Sequence, residues 1–101
     1  MTTVTIKLAP SCLMREFYFG NTMQVAAKNI SQYIDAGNYK TDQTGSDAAE
    51  EMFDLTNNPS RSSERLQKYG RNRSLSTGDI VTVDGVDFVC MSIGWKELES
   101  Q

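Results

Sequence analysis

Histidine is absent from the sequence, and cysteine occurs only twice, at Cys12 and Cys90. Without histidine the chain lacks the commonest general base and metal ligand, so a Ser-His-Asp or Cys-His catalytic site is excluded. Two cysteines alone do not complete a standard zinc site, and we expect neither a metal nor a cofactor. We interpret both cysteines as free thiols in or near the core, because the cytosol keeps thiols reduced; a disulfide between them is the alternative.

Long hydrophobic runs are also missing, and none approaches the roughly 20 apolar residues that a membrane span needs. The first seven residues lack the basic region and the apolar stretch of a signal peptide, so we expect a cytoplasmic protein. Hydrophobic residues make up 39% of the 101 residues, which suits a single domain over residues 1–101 with one modest core. The net charge is −3, so nucleic-acid binding through the whole surface is not expected.

The hydrophobic pattern of the first half predicts two strands followed by a helix. Residues 3–9 alternate apolar and polar side chains, as a half-buried strand does, and residues 13–19 alternate in a similar way. We expect these two strands to pair antiparallel. After Gly20, Asn21 can cap a helix whose apolar stripe runs from residue 23 to residue 34, before a stop at Gly37. The polar residues 38–45 predict a loop.

The second half predicts two helices and a β-hairpin. Ser46 can cap a helix that stops at Asn57-Asn58-Pro59, and residues 62–69 can form a shorter helix. β-branched strands flank Asp84-Gly85, a dipeptide that favours a tight hairpin turn. Both faces of this hairpin are apolar, so we expect helices to cover it. The predicted fold class is α+β: a small antiparallel sheet, made of an N-terminal strand pair and the C-terminal hairpin, covered by two or three helices.

A basic segment between residues 59 and 73 is the strongest charge feature. It holds half of the ten basic residues, namely Arg61, Arg65, Lys68, Arg71 and Arg73, against the single acid Glu64. These side chains can contact nucleic-acid phosphates, with Tyr69 stacking on a base. They can also meet an acidic surface of another protein, or pair with this protein's own acidic helix. The sequence leaves the three interpretations open.

Acidic residues cluster in the predicted helix before the basic segment. Four of them share one side of that helix: Asp47, Glu50, Glu51 and Asp54. They can support the positive end of the helix dipole and form an acidic contact patch. Paired carboxylates can also hold Mg²⁺, which would be the route to an enzyme. We expect a non-enzymatic protein.

The hairpin is followed directly by Trp95, the only tryptophan of the chain. An aromatic side chain of this size dominates burial in a small domain, so we interpret Trp95 as core or as a cover on the sheet. Exposed near the basic segment, Trp95 would instead be an anchor for a partner. Trp95 and Lys96 therefore join the basic segment as candidate partner-binding residues.

Residues 47–98 contain a series of short motifs. They are Phe53-Asp54-Leu55-Thr56-Asn57, Arg73-Ser74-Leu75-Ser76-Thr77-Gly78-Asp79-Ile80-Val81, Asp84-Gly85 and Met91-Ser92-Ile93-Gly94-Trp95-Lys96-Glu97-Leu98. In these motifs the sequence resembles small proteins of bacteriophages and mobile elements, which share an Arg-Ser-x-Ser-x-Gly-Asp-x-Val stretch and a closing Gly-Trp-x-x-Leu. The resemblance implies a viral or mobile-element origin and no particular reaction.

Charge segregation, the missing catalytic residues and the resemblance together lead to one hypothesis. The chain would be a small accessory protein of phage type that binds a host or viral protein in the host cytoplasm, for instance to inhibit a host defence or polymerase component. The alternative hypothesis is a module that binds RNA or single-stranded DNA through residues 61–73. We expect no membrane partner.

Overall fold

The computed structural model describes residues 1–70 and 72–98, apart from the side chain of Phe19. These residues form five strands and four α-helices. The strands are β1 (Thr2–Leu8), β2 (Ile34–Thr41), β3 (Ile80–Val83), β4 (Val86–Cys90) and β5 (Trp95–Glu97). The helices are α1 (Met14–Phe19), α2 (Thr22–Asn29), α3 (Gly45–Asn57) and α4 (Ser62–Lys68), with short 3-10 turns at Ser11–Leu13, Ile30–Gln32 and Pro59–Arg61. None of the described helices is long and apolar enough to cross a membrane.

All five strands pair antiparallel in the order β2-β1-β3-β4-β5, so the fold has the predicted α+β class. The predicted hairpin is confirmed, because Val83 pairs with Val86 across the turn. Both turn residues have positive φ, 49° at Asp84 and 82° at Gly85. Two left-handed residues in a two-residue loop give the turn whose twist matches that of the strands it joins.

The predicted second strand at residues 13–19 is wrong, since this segment forms the end of a 3-10 turn and α1. Leu13 and Phe17 are both buried, and their spacing of four residues places them on one face of a helix as readily as on one face of a strand. The strand that pairs with β1 is β2, with Val4 opposite Tyr39. The N-terminal strand pair therefore exists, but with a different partner.

The first predicted helix begins as expected and ends early. The Asn21 side chain caps α2 by accepting a hydrogen bond from the backbone N–H of Gln24 at 3.1 Å. The helix stops at Asn29, and the chain enters β2 at Ile34. The first half of the predicted loop, residues 38–41, is therefore strand, and residues 42–44 form the loop before α3. Gly37, with φ of 114°, lies at a bulge opposite β1 and not at a helix end. The polar composition of β2 reflects its place at the edge of the sheet.

Helices cover both faces of the sheet, as the two-sided apolar hairpin predicted. On one face, α3 packs on β1 and β3 through a core that includes Val4, Ile6, Val81, Val83, Ala48, Ala49, Met52 and Leu55. On the other face, α1 and α2 cover β3 and β4 through Leu13, Phe17, Ala26, Ile80 and Val89. We call these the α3 face and the α2 face of the sheet. β3 is thus largely buried on both sides, whereas the polar residues Thr3, Thr5 and Lys7 of β1 are exposed or half-buried on the opposite face from α3.

Candidate functional site

Arg61 joins the basic segment to the acidic helix of the same chain. One of its Nη atoms lies 2.8 Å from both Glu51 Oε1 and Asp54 Oδ2, and its Nε lies 2.8 Å from Glu64 Oε1. These hydrogen bonds raise the pKa of Arg61 above its ordinary value. They also lower the pKa of Asp54. For Arg61, the structure thus shows the internal pairing that the sequence left as one of three interpretations.

Glu50 and Trp95 join α3 to β5. The indole Nε1 of Trp95 donates a hydrogen bond to Glu50 Oε2 at 2.9 Å. The indole also meets the ring of Phe53 edge-on, with 6.4 Å between ring centroids. Trp95 is half-buried and covers the α3 face at the end of the sheet. Asp47, the remaining predicted acid, lies exposed in the first turn of α3. Its negative charge interacts favourably there with the positive end of the helix dipole.

Arg73 lies against a carboxylate that is completely buried. Its two Nη atoms contact Asp79 at 2.6 and 2.7 Å, and the Asp79 carboxylate also accepts hydrogen bonds from the backbone N–H groups of Ala9 and Ser76, both at 2.8 Å. The carboxylate raises the pKa of Arg73. Arg73, Ser76 and Asp79 therefore tie the end of β1 to the loop that leads into β3.

Tyr33 is a further residue of this loop site that the sequence did not reveal. Its hydroxyl donates to the carbonyl oxygen of Gly78 at 2.5 Å. Burial, and after it the charge of Asp79, raises the pKa of Tyr33. Tyr33 precedes β2 while Gly78 precedes β3, so this contact depends on a pairing of distant segments that no local pattern reports.

The other basic residues have weaker internal contacts. Arg65 donates to the carbonyl oxygen of Asn72 at 2.7 Å and lies over the ring of Tyr69, and Lys68 contacts Glu64 at 3.2 Å. Tyr69 is only 2% exposed, so its ring cannot stack on a nucleic-acid base. Arg71 lies outside the described residues.

In the part of the chain that the structure describes, no three cysteine or acidic side chains converge closely enough to hold a metal ion.

An open groove of about 930 Å³ runs between α2 and β5, at the hairpin-turn end of the sheet. Its walls include Met23, Ala27 and Ile30 from α2 and Lys96, Glu97 and Leu98 from the β5 segment. The sequence placed Met23, Ala27 and Ile30 in a core stripe. Only Ala26 of α2 is buried, however, because this helix is short and covers only part of the α2 face. Of the predicted partner-binding residues that the structure describes, only Lys96 lines the groove.

The contacts described so far define a small α+β protein in which Arg61 and Arg73 of the basic segment are paired with carboxylates of the same chain. No protein-family model matches the chain, and neither a curated protein nor a solved structure is significantly similar to it. The function is therefore inferred from the surfaces of the molecule itself.

Proposed function

We propose that this chain acts by binding another protein through the groove between α2 and β5. The groove carries the proposal, because it places partly exposed apolar side chains beside charged ones. Met23, Ile30 and Leu98 pack against the core on one side only, while Lys96 and Glu97 are exposed at the rim. A concave apolar surface with a few polar groups at its edge is the usual form of a binding site.

The internal contacts of the basic segment support a protein partner over a nucleic acid. Arg61 is held by three carboxylates and Arg73 by one. A guanidinium in such contacts would have to give up those hydrogen bonds in order to meet a phosphate. The half-buried Arg65 and the exposed Lys68 are the other two cations of the described part of the segment. Two cations on one helical turn supply a small part of the phosphate contacts that a nucleic-acid interface uses.

More specifically, we propose that the chain is a non-enzymatic accessory protein of phage type. Its partner would be a host or viral protein, such as a component of a host defence or a polymerase whose action it inhibits. The resemblance of residues 47–98 supports the origin, and the absence of histidine supports binding without catalysis. The free thiols of Cys12 and Cys90 support an encounter in the reducing host cytoplasm.

Site-specific photo-cross-linking tests the proposal. A benzophenone amino acid replaces Ala27, which is exposed in the groove, or Gln67, which is exposed on α4, and the chain is irradiated inside the cells that normally produce it. We expect a discrete protein adduct from position 27 and none from position 67. Adducts with nucleic acid at position 67, or the same proteins at both positions, would overturn the proposal.

A further inference from the structure

The backbone hydrogen bonds of β5 determine which of its groups face the edge of the sheet. The N–H of Met91 donates to the carbonyl oxygen of Gly94 at 3.0 Å. The N–H of Leu98 donates to the carbonyl oxygen of Asp87 at 2.7 Å. In an antiparallel ladder, alternate residues of a strand bond to the same neighbour. Residues 94, 96 and 98 therefore face β4, and the N–H and C=O groups of Trp95 and Glu97 point away from it. β5 is the last strand in the sheet order.

The two edges of the sheet differ in how regular they are. Along β2, the bulge at Gly37 interrupts the pairing register, and bulges of this kind protect an edge against added strands. Along β5, the register with β4 is continuous from Trp95 to Glu97. The contact of Trp95 with Glu50 also fixes the strand to α3. The β5 edge is therefore short, regular and held in place.

Lys96 gives this edge a charge preference. It pairs with Val89, so its side chain lies on the α2 face, between the edge and the apolar wall of the groove. Among the residues that the structure describes, no carboxylate lies within ion-pair distance of Lys96. A strand added along β5 would place one residue opposite Lys96, where an acid is favoured. The residues two positions away on the same face would lie opposite Gly94 and Leu98. The one opposite Leu98 would face the apolar wall of the groove, which includes Met23.

We propose that β5 accepts an extended segment of the partner protein as an added antiparallel strand, with the pattern apolar-x-acidic facing α2. This inference rests on the proposed protein-binding function and names the chemistry of the partner. Strand addition draws its affinity from backbone hydrogen bonds and its specificity from alternate side chains. Trp95 and Glu97 supply the backbone groups, and Lys96 with the apolar wall of α2 supplies the specificity.

A second copy of this chain fits the edge less well. The symmetric register that pairs all three residues of two β5 strands places Trp95 of one copy opposite Glu97 of the other. Lys96 would then lie directly opposite the same lysine of the second copy. Like charges directly opposite each other destabilise a strand pair. The charge at Lys96 therefore favours an acidic segment of a different protein.

Panning a library of short random peptides tests the inference, with the wild-type chain and a Lys96→Glu variant as targets. The wild type should enrich peptides in which an apolar residue stands two positions before an Asp or Glu. Lys96→Glu should enrich Lys or Arg at that acidic position. Enriched peptides without this pattern, or an identical pattern for both targets, would overturn the inference.

Two substitutions at one position then separate backbone from side-chain recognition. Glu97→Pro removes an outward N–H and leaves the ladder with β4 intact, since proline is tolerated where the N–H faces away from the sheet. Glu97→Ala keeps that N–H. In fluorescence polarisation, the enriched peptide should bind Glu97→Pro about tenfold more weakly than Glu97→Ala, as expected for a lost hydrogen bond.

Equal affinity for the two variants would overturn strand addition. A wild-type dimer in sedimentation that Glu97→Pro dissociates would also overturn it, because the occupant would then be a second copy. If the peptide pattern or the affinity difference is not observed but the adduct at position 27 forms, the protein-binding function stands and only the strand addition is rejected. If the position-27 adduct is also missing, both fall.

Discussion

The carboxylate of Asp79 lies beneath the guanidinium of Arg73, at 2.6 and 2.7 Å, and has no solvent exposure. Arg73 in turn donates to the carbonyl oxygen of Ala9 at 2.7 Å, so the ion pair joins the end of β1 to the start of β3. Arg73 therefore acts chiefly as a structural residue. Its bidentate contact with Asp79 holds the loop before β3 in place, although 38% of its side chain stays exposed.

Removing the buried carboxylate should destabilise the protein strongly. Asp79→Ala leaves the Arg73 charge unpaired and the backbone N–H groups of Ala9 and Ser76 without their acceptor. We expect a loss of about 3–5 kcal/mol in the free energy of unfolding, measured by urea denaturation. The exposed Asp42→Asn should stay within about 0.5 kcal/mol of wild type.

If Asp79→Ala does not fold, Asp79→Asn, which keeps one acceptor oxygen, should still fold with a smaller loss. A free energy of unfolding for Asp79→Asn equal to that of Asp42→Asn would contradict the structural role of the ion pair.

Gly78 should not tolerate a side chain, because a Cβ there would lie 2.6 Å from the ring of Phe17. Gly85→Ala is the matched control, since Gly85 has a similar φ of 82° against 95° at Gly78, and no atom lies within 4 Å of its Cβ position. Both variants bear the cost of a left-handed alanine, about 1–2 kcal/mol.

Gly78→Ala should lose about 1–3 kcal/mol more than Gly85→Ala in thermal or urea unfolding, because of the steric overlap with Phe17. Phe17→Leu in the Gly78→Ala background should recover part of that difference. Equal losses for the two alanine variants would show that the ring does not restrict this position.

Acid titration should reveal the contact between Glu64 and Arg61. The hydrogen bond from Arg61, with a smaller contribution from Lys68, lowers the pKa of Glu64 from 4.5 to about 2. Because the folded-state pKa is the lower one, the stabilisation is complete above the unfolded pKa. It decreases as the pH falls and is lost once the pH passes below the folded pKa.

Carboxyl NMR should therefore show Glu64 titrating near pH 2 in the wild type. In Arg61→Gln, the pKa of Glu64 should return toward 4.5, while Lys68→Gln should move it less. A wild-type Glu64 that titrates at its ordinary pKa would contradict the Arg61 contact.

The two cysteines should differ sharply in reactivity. Cys12 is exposed and Cys90 is buried, and burial raises the pKa of the Cys90 thiol to about 12. Since the thiolate is the reactive form, iodoacetamide at mildly alkaline pH should modify the native chain at Cys12 only. Both cysteines should react in urea, and native Cys12→Ser should not react. Rapid native modification at Cys90 would contradict its burial.

The fold was predictable where the decisive contacts are local. The hairpin at Asp84-Gly85 needs only a turn dipeptide and two short β-branched runs, and its register followed from them. The pairing of β1 with β2 is different, because Val4 meets Tyr39 across most of the first half of the chain. A polar edge strand such as β2 has no apolar alternation to reveal it, whereas residues 13–19 have an alternation that a helix also satisfies.

Among the charged contacts too, those that depend on how distant segments meet could not be predicted from the sequence. The sequence showed that Arg61 could pair with the acidic helix, and it left contact with a nucleic acid or with a second protein as alternatives. The choice depends on how α4 folds back on α3 after Asn58, which local patterns do not determine. The groove was not predictable either, because Met23 and Ile30 have the spacing of core residues. Only the short length of α2 leaves them partly exposed.

The central claim is that a partner protein binds in the groove between α2 and β5. Amide hydrogen exchange measures this most directly, on the chain alone and with the partner recovered from the position-27 adduct. The account predicts slower exchange at the backbone amides of Trp95 and Glu97 and in α2, with the amide of Gln67 unchanged. Slower exchange confined to β2 or α4, with Trp95 and Glu97 exchanging as in the free chain, would contradict it.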